Sequence, residues 1–219
     1  MGAALAVQVG EQPMWLWPQR AAFLPDHRAL LVADAHLGKA QAFRQRGVPV
    51  PAGTTARNLA VLDEVISACT PRTVVFLGDL LHARITVHAP LWEQVRRWRD
   101  SHSDLEMVLV RGNHDHHAGD PPAHWGIQAV SEPWRMGPWA LCHHPQEVQG
   151  AYALSGHLHP GVRVGGRGDS LRLPCFHLGA RLAVLPAFGE FTGLHLVKPQ
   201  PGERVFAVAQ DTVRAVWGA

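Results

Sequence analysis

The first half of the chain alternates between unbroken apolar runs and abrupt polar stops. Residues 28–38, RALLVADAHLG, are apolar up to Ala33 and then give way to Asp-x-His-x-Gly. An apolar run of that length, bounded by polar and turn-forming residues, reads as a buried strand. KAQAFRQRG (39–47) predicts a short helix closed by Gly47, and VPVPAG (48–53) breaks it. Residues 54–70 predict a longer helix, with Leu59, Leu62, Ile66 and Cys69 on one face and Thr54 or Thr55 as its cap. TVVFLGDLLHA (73–83) repeats the opening theme, a β-branched run ending in Gly-Asp and a His. A helix follows over 89–100, with Pro90 in its first turn and Leu91, Val95 and Trp98 as its buried stripe. Arg96, Arg97 and Arg99 then fall mostly toward solvent. LEMVLVRGNHD (105–115) states the theme a third time.

This rhythm predicts βαβ units and a parallel sheet, in which functional groups gather past the carboxyl ends of the strands. The second half differs. Short β-like runs (139–145, 153–164, 171–179, 181–189, 193–197, 204–210 and 212–218) are separated by Gly and Pro, which predicts a second, largely antiparallel sheet. No linker, charge block or 20–50-residue repeat interrupts the chain, so residues 1–219 read as one domain of two packed sheets without a cap. GGRGDSL (165–171) reads as a polar hairpin turn rather than an adhesion motif. Trp15, Trp17, Trp92 and Trp98 are expected in the core.

Composition narrows the class. Hydrophobic residues make up 47% and charged residues 17%, a globular balance without a disorder signature. The net charge of +2 does not announce a nucleic-acid binder, although all basic residues except Lys39 and Lys198 are arginine, which suits bidentate phosphate contact. The odd set Cys69, Cys142 and Cys175 contains no CxxC, which fits reduced thiols in a cytosol. The N-terminus lacks a signal-peptide pattern, Gly2 is not followed by the Ser or Thr that myristoylation wants, and no stretch is long enough to span a membrane. A cytoplasmic protein is expected. The unusual feature is 15 histidines, the commonest metal ligand.

Collected in order, the polar residues at strand ends are Asp34-x-His36, Gly78-Asp79, Gly112-Asn113-His114-Asp115, His143 and Gly156-His157-x-His159. Residues i and i+2 of a strand point the same way, so Asp34 with His36, and His157 with His159, can each present a pair. Carboxylate, carboxamide and imidazole form the mixed oxygen and nitrogen set that suits Mn, Fe or Zn. No cysteine stands at ligand spacing, which excludes a Cys-type structural zinc site. Seven ligand candidates exceed one ion and suit two, provided one carboxylate bridges. Two such ions form a clamp for phosphoryl displacement.

The ordered set D-x-H, G-D, G-N-H-D, H, G-H-x-H over residues 34–159 resembles the calcineurin-like metallophosphoesterase superfamily. The resemblance implies an α/β fold of two packed mixed β-sheets flanked by helices, an α/β/β/α sandwich. It assigns one metal to Asp34, His36 and His159, a second to Asn113, His143 and His157, and the bridge to Asp79. His114 would be the general acid and Asp115 would orient it, while a metal-bridging hydroxide attacks phosphorus in line. The words HLGK…R..G and LPAFG.FTG, within residues 33–62 and 185–193, further resemble the ligase-associated DNA damage response endonuclease (PdeM-type) group. Ala35 departs from that pattern, where a larger residue is usual, without touching ligation. This group implies a Mn²⁺-dependent DNA phosphodiesterase acting on single-stranded or structured DNA in repair, alongside a DNA ligase and a helicase. A small nucleotide or other phosphoester is the alternative substrate, and a non-catalytic scaffold the remote one.

Other residues have competing readings. His143 and His144 compete for one ligand position, since alternation lets only one face inward, and the strand WALCH together with the resemblance favours His143. His82 is either on the substrate side or a plain turn residue. Lys39, Arg44, Arg46 and Arg84 near the active face could hold a DNA backbone, or simply form a wet basic surface. His116 and His117 read as loop residues at the cleft rim. His88, His102 and His124 read as exposed, and His177 and His195 as satisfied sheet residues. An exposed Trp, or Phe188, could stack on unpaired bases.

Overall fold

In the computed structural model, residues 2–83, 89–166 and 169–218 are described. Arg84, His88 and most of the Arg-Gly-Asp turn lie outside them. The first sheet runs in chain order: β1 (Leu5–Val9), β2 (Gln12–Trp17), β3 (Ala21–Leu24), β4 (Ala29–Ala33), β5 (Thr73–Leu77), β6 (Glu106–Val110) and β7 (Ile127–Val130). β1 to β4 pair antiparallel, and β4 to β7 pair parallel as the βαβ rhythm predicts. The connecting helices are α1 (Lys39–Gln45), α2 (Thr54–Cys69), α3 (Pro90–Ser101) and the short α4 (Asn113–Ala118).

The second sheet contains β8 (Trp134–Met136), β9 (Trp139–Leu141), β10 (Tyr152–Ser155), β11 (Pro160–Gly166), β12 (Asp169–Leu178), β13 (Leu182–Val184), β14 (His195–Leu196), β15 (Arg204–Ala209) and β16 (Thr212–Trp217). It is more mixed than the expected antiparallel sheet. β10 pairs parallel with both β9 and β13, and β11 pairs parallel with β14. That parallel centre gives the second sheet its own row of carboxyl ends.

Two cores follow from strand alternation. Leu31, Ala33, Val75, Leu77, Val108 and Val110 face the second sheet and meet Trp139, Leu141, Leu154, Phe176 and Phe206. Leu30, Val32, Val74, Phe76, Met107 and Leu109 face the helices and meet Leu59, Leu62, Ile66, Val95 and Trp98. Central parallel strands are covered on both faces, which is why they read as unbroken apolar runs. Each fully buried side chain of this kind contributes about 1.5–3 kcal/mol. The architecture is therefore two packed mixed sheets flanked by helices; α2 and α3 cover the first sheet, and beyond Ile127 the described residues form strands and loops.

Four local expectations need correction. Neither Thr54 nor Thr55 caps α2: Gly53 occupies that position, and the Thr54 hydroxyl donates back to the Pro51 carbonyl at 3.2 Å. Arg99 is buried, because its guanidinium closes the end of α3 by donating to the carbonyls of His102 and Leu105. His102 is half-buried, since it and Trp98 both reach the Asp63 carboxylate on α2, at 2.7 and 2.6 Å. Trp15 is 37% exposed and lies over Phe23 rather than in a core.

Candidate metal centre

Ala33 at the end of β4 pairs with Leu77 of β5, and Leu77 pairs with Val110 of β6. In the second sheet Leu154 of β10 pairs with Leu141 of β9. These aligned carboxyl ends release Asp34, His36, Asp79, Asn113, His143, His157 and His159 into one place. The loops lock together there: the His36 and Leu37 amides donate to the carbonyls of Asp79 and Leu80 at 2.8 Å each, and the Gly156 amide donates to the His143 carbonyl at 3.1 Å.

The aiming differs from what alternation suggests. Asp34 and His36 lie beyond β4, and His157 and His159 beyond β10. Each of these four residues, and Asp79 with them, has a left-handed backbone, with φ between 44° and 70°. The pairs do converge, but turns present them rather than a pleat. A left-handed non-glycine residue costs about 1–2 kcal/mol, so such a set persists only where surrounding bonds over-determine it. Space is equally tight. Gly78 is itself left-handed, and a Cβ there would run into the His143 ring; one on Gly112 would meet the Asp79 carboxylate.

The donor atoms form two neighbouring groups. In one, Asp34, His36 and His159 bring ligand atoms within 4.8 Å of one another, with Asp34 Oδ1 3.6 Å from His159 Nε2. In the other, His143 Nε2 lies 2.9 Å from Asn113 Oδ1 and 3.0 Å from His157 Nδ1. Asp79 spans them: Oδ2 is 3.7 Å from His36 Nε2, and Oδ1 is 3.6 Å from His143 Nε2. Ligand atoms about 2.1 Å from a shared ion at angles of 90–180° lie about 3.0–4.2 Å apart. The separations here match that range. Among the described residues, Asp34 Oδ1 and His36 Nδ1 are moreover buried without a hydrogen-bond partner, an arrangement a protein tolerates where another species completes the site. Burial, followed by Lys39 and the neighbouring imidazoles, pushes His36 down to about 2, and burial with His143 lowers His157. Both stay neutral, the form that offers a lone pair to a metal. The donor set therefore fits divalent ions.

His114 stands beside this centre at half burial. Its ring is 5.0 Å from that of His36, its amide donates to Asp79 Oδ1 at 2.9 Å, and its Nδ1 meets the His82 carbonyl at 3.2 Å. Among the described residues that bond leaves Nε2 as the free ring nitrogen. Asp115 does not orient it as expected. Its carboxylate instead accepts the amides of Asp79 (2.7 Å), Leu80 (3.1 Å), Leu81 (3.4 Å) and Gly112 (2.9 Å). Asp115 heads inward from α4, so it ties the Asp79 turn together while the His82 main chain holds His114.

The remaining candidates separate. His82 is on the site side: its ring stacks on His114 at 5.0 Å, and burial, with Lys39 and His114, pushes it down to about 4. Lys39 lies close enough to feel Asp34 and Asp79, although burial dominates and lowers its ammonium. Arg46 also lies close enough to bear on the His82 ring. Arg44 turns away, donating to the Pro51 carbonyl at 2.9 Å because its stretch of α1 faces the 48–53 loop. Arg84 lies outside the described residues. His116 and His117 are exposed on α4 rather than in a loop, with His117 closed onto the Asn113 carbonyl. His177 bonds Glu203 as a satisfied sheet residue, while His195 and His124 are exposed. Phe188 is buried in the helix-side core and cannot stack on a base.

His143 is fully buried and in place, but His144 is no bystander. Its Nδ1 meets Glu132 Oε1 at 2.6 Å, and Glu132 Oε2 accepts the amides of His143 (2.6 Å) and His144 (2.9 Å). Burial pushes the Glu132 carboxyl up, but these bonds outweigh it and hold it below the ordinary glutamate range. β9 ends at Leu141, so strand alternation never reaches the pair, and both rings approach His157, at 4.8 and 4.6 Å. No sequence pattern singles out Glu132.

This fold and centre define a metal-dependent phosphoesterase, and the family model for calcineurin-like phosphoesterases matches residues 27–199, so the chain belongs to that family. Among solved structures it is similar to a Pseudomonas putida nuclease, MPE, at 40% identity and a TM-score of 0.86, covering 97% of this chain and 100% of that one. It is also similar to the phosphoesterase Yfce from E. coli, at 15% identity and a TM-score of 0.42, covering 86% and 97%. None of the curated proteins compared with it matches. No helix of the described residues is long and apolar enough to cross a membrane.

Proposed function

We propose that the protein is a nuclease, a two-metal phosphodiesterase that hydrolyses DNA phosphodiester bonds in repair. The observation that carries this reading is the approach of both donor groups to one carboxylate, Asp79, with a His114 nitrogen that has no partner among the described residues beside them. The full-length likeness to a nuclease supports a nucleic-acid substrate. Asp34, His36 and His159 would hold one ion and Asn113, His143 and His157 the other, with Asp79 between the two groups. When bound, divalent ions neutralise phosphoryl oxygens and acidify the attacking water. Mn²⁺ is our choice, with Fe or Zn compatible with the same donors.

His114 delivers a proton from Nε2 to the leaving oxygen, while its Nδ1 stays on the His82 carbonyl and fixes the ring. Asp115 keeps the Asp79 turn rigid. Lys39 and Arg46 meet flanking phosphates, and His82 borders the leaving-group side. Single-stranded or structured DNA is the substrate that fits repair beside a DNA ligase and a helicase, the setting of the endonuclease group the sequence resembles.

The test couples metal analysis to Mn²⁺-dependent assays on single-stranded, tailed and duplex DNA and on small phosphodiesters. His114→Ala should retain its metal and lose about 10²–10⁴ in turnover, typical of a general acid. Unchanged turnover would remove His114 from this role. Fast hydrolysis of a small nucleotide with undetectable DNA cleavage would replace the nuclease reading with a nucleotide phosphodiesterase.

A further inference from the structure

The segment LPAFGEFTG joins β13 to β14 and supplies no donor to the metal centre, yet it is bound to it at both ends. At its start the Phe188 amide donates to the Ala33 carbonyl at 2.8 Å, and the Gly189 amide to the Asp34 carbonyl at 3.1 Å. Just beyond its far end, at the first residue of β14, the His195 amide donates to the His159 carbonyl at 3.0 Å. The loop thus arches between the main chains of two residues of the same donor group. A Cβ on Gly189 would collide with the Ala35 carbonyl, at 2.5 Å, so the arch lies directly on the Asp34 turn. Glu190 pins it from the side through a 3.0 Å ion pair with Arg57 of α2, and the Thr192 hydroxyl closes it onto the Gly189 carbonyl at 3.2 Å.

Phe191 sits near the middle of this arch. It is 41% exposed, and its φ of 59° is left-handed, a conformation that is an outlier for a bulky residue. The fold therefore carries an unfavourable backbone at a position where the ring is only partly packed. Neither property helps folding, and strain of this kind collects at binding sites. Phe191 is two residues from Gly189, so their Cα atoms are at most about 7.6 Å apart. Leu158, between His157 and His159, is also 42% exposed and adds a second apolar group to the rim.

We propose that Phe191 is a stacking platform for an unpaired base of the substrate strand, next to the scissile phosphate. This rests on the nucleic-acid reading above. Aromatic stacking needs a splayed, accessible base face and tolerates any base, so it selects unpaired strands without selecting sequence. The arch fixes the ring on a rigid, bonded loop, which keeps the ordering cost of such a contact low.

The test measures kcat/KM with Mn²⁺ on a single-stranded oligonucleotide and on the same oligonucleotide with abasic residues flanking the cut. Wild type should prefer the base-bearing strand by about 5- to 150-fold, the range of one stacked base. Phe191→Asn removes the ring but suits the left-handed turn, and should bring that ratio close to one. Phe191→Tyr should keep the wild-type ratio. Metal content and melting temperature establish that the variants fold, and Phe191→Gly repeats the test if the Asn variant does not. A wild-type ratio near one, or an Asn variant with the wild-type ratio, overturns the stacking role while leaving the nuclease reading intact. Absence of cleavage of either strand, with small phosphodiesters still hydrolysed, overturns the nuclease reading and this inference together.

Discussion

Asp115→Asn separates two roles that the same motif position could play. The Asp115 side chain is 1% exposed and accepts four main-chain amides, two on each oxygen. An asparagine oxygen can keep one pair. Its NH₂ group then faces the other pair donor to donor, leaving two buried amides unmade. Each costs about 1–3 kcal/mol, so the variant should lose about 2–6 kcal/mol. At about 2–4 °C per kcal/mol for a chain of this size, melting should fall by at least about 4 °C. Thermal unfolding of the metal-free protein is the direct assay, because it removes ligand stabilisation from the comparison. A Mn²⁺ titration then reads the loosened Asp79 turn as weaker binding. If Asp115 served His114 alone, the variant would melt like wild type, bind Mn²⁺ normally and lose only turnover. That outcome would refute the anchoring role.

Three further results are expected. Gly78→Ala forces a Cβ against the His143 ring and should weaken Mn²⁺ binding at least about tenfold, while Gly10→Ala, also left-handed at φ 61° but facing open space, should leave binding alone; isothermal titration compares them. Chelation should lower the melting temperature, and Mn²⁺ at about 100 times its Kd should raise it by about 5–10 °C, so a melting curve indifferent to Mn²⁺ would contradict a metal centre formed only in the folded chain. Burial pushes Glu203 up, but its bonds from the Gln200 amide and His177 prevail and depress it below its ordinary 4.5. A depressed acid contributes stability that is present above 4.5 and lost as pH falls through the folded value, so Glu203→Gln should flatten stability on the acid side, as denaturant melts from pH 3 to 6 would record.

Much of this molecule can be read from residue order. The β4, β5 and β6 runs stand out because both of their faces are covered, and ligand-type residues stand out because they follow each run. The N-terminal strands do not: β2 contains Pro13 and alternates faces, so no continuous run marks it. That ligand-type residues gather past the strand ends can be read from their order, but how they are aimed cannot, because left-handed turns at Asp34, His36, His157 and His159 are imposed by bonds between distant loops. Tertiary approach also decides Asp115, whose motif position suggests His114 but whose nearest donors are the 79–81 amides. Glu132 lies in a turn that resembles any other until the fold sets it under His143 and His144. Phe188 and Phe191 differ only in which one the arch turns inward.

The donor groups are assembled from residues 34 to 159, and each group draws on both sheets. During synthesis, a ribosome-bound chain that has completed β4 to β6 and the start of α4 already carries Asp34, His36, Asp79 and Asn113, but no group is whole until the second sheet emerges and docks. A prematurely terminated or proteolytically clipped chain that ends before His157 would therefore be unable to build either half of the centre. The chain's phosphoesterase capacity is tied to its integrity, so its fragments would not become unsupervised hydrolases.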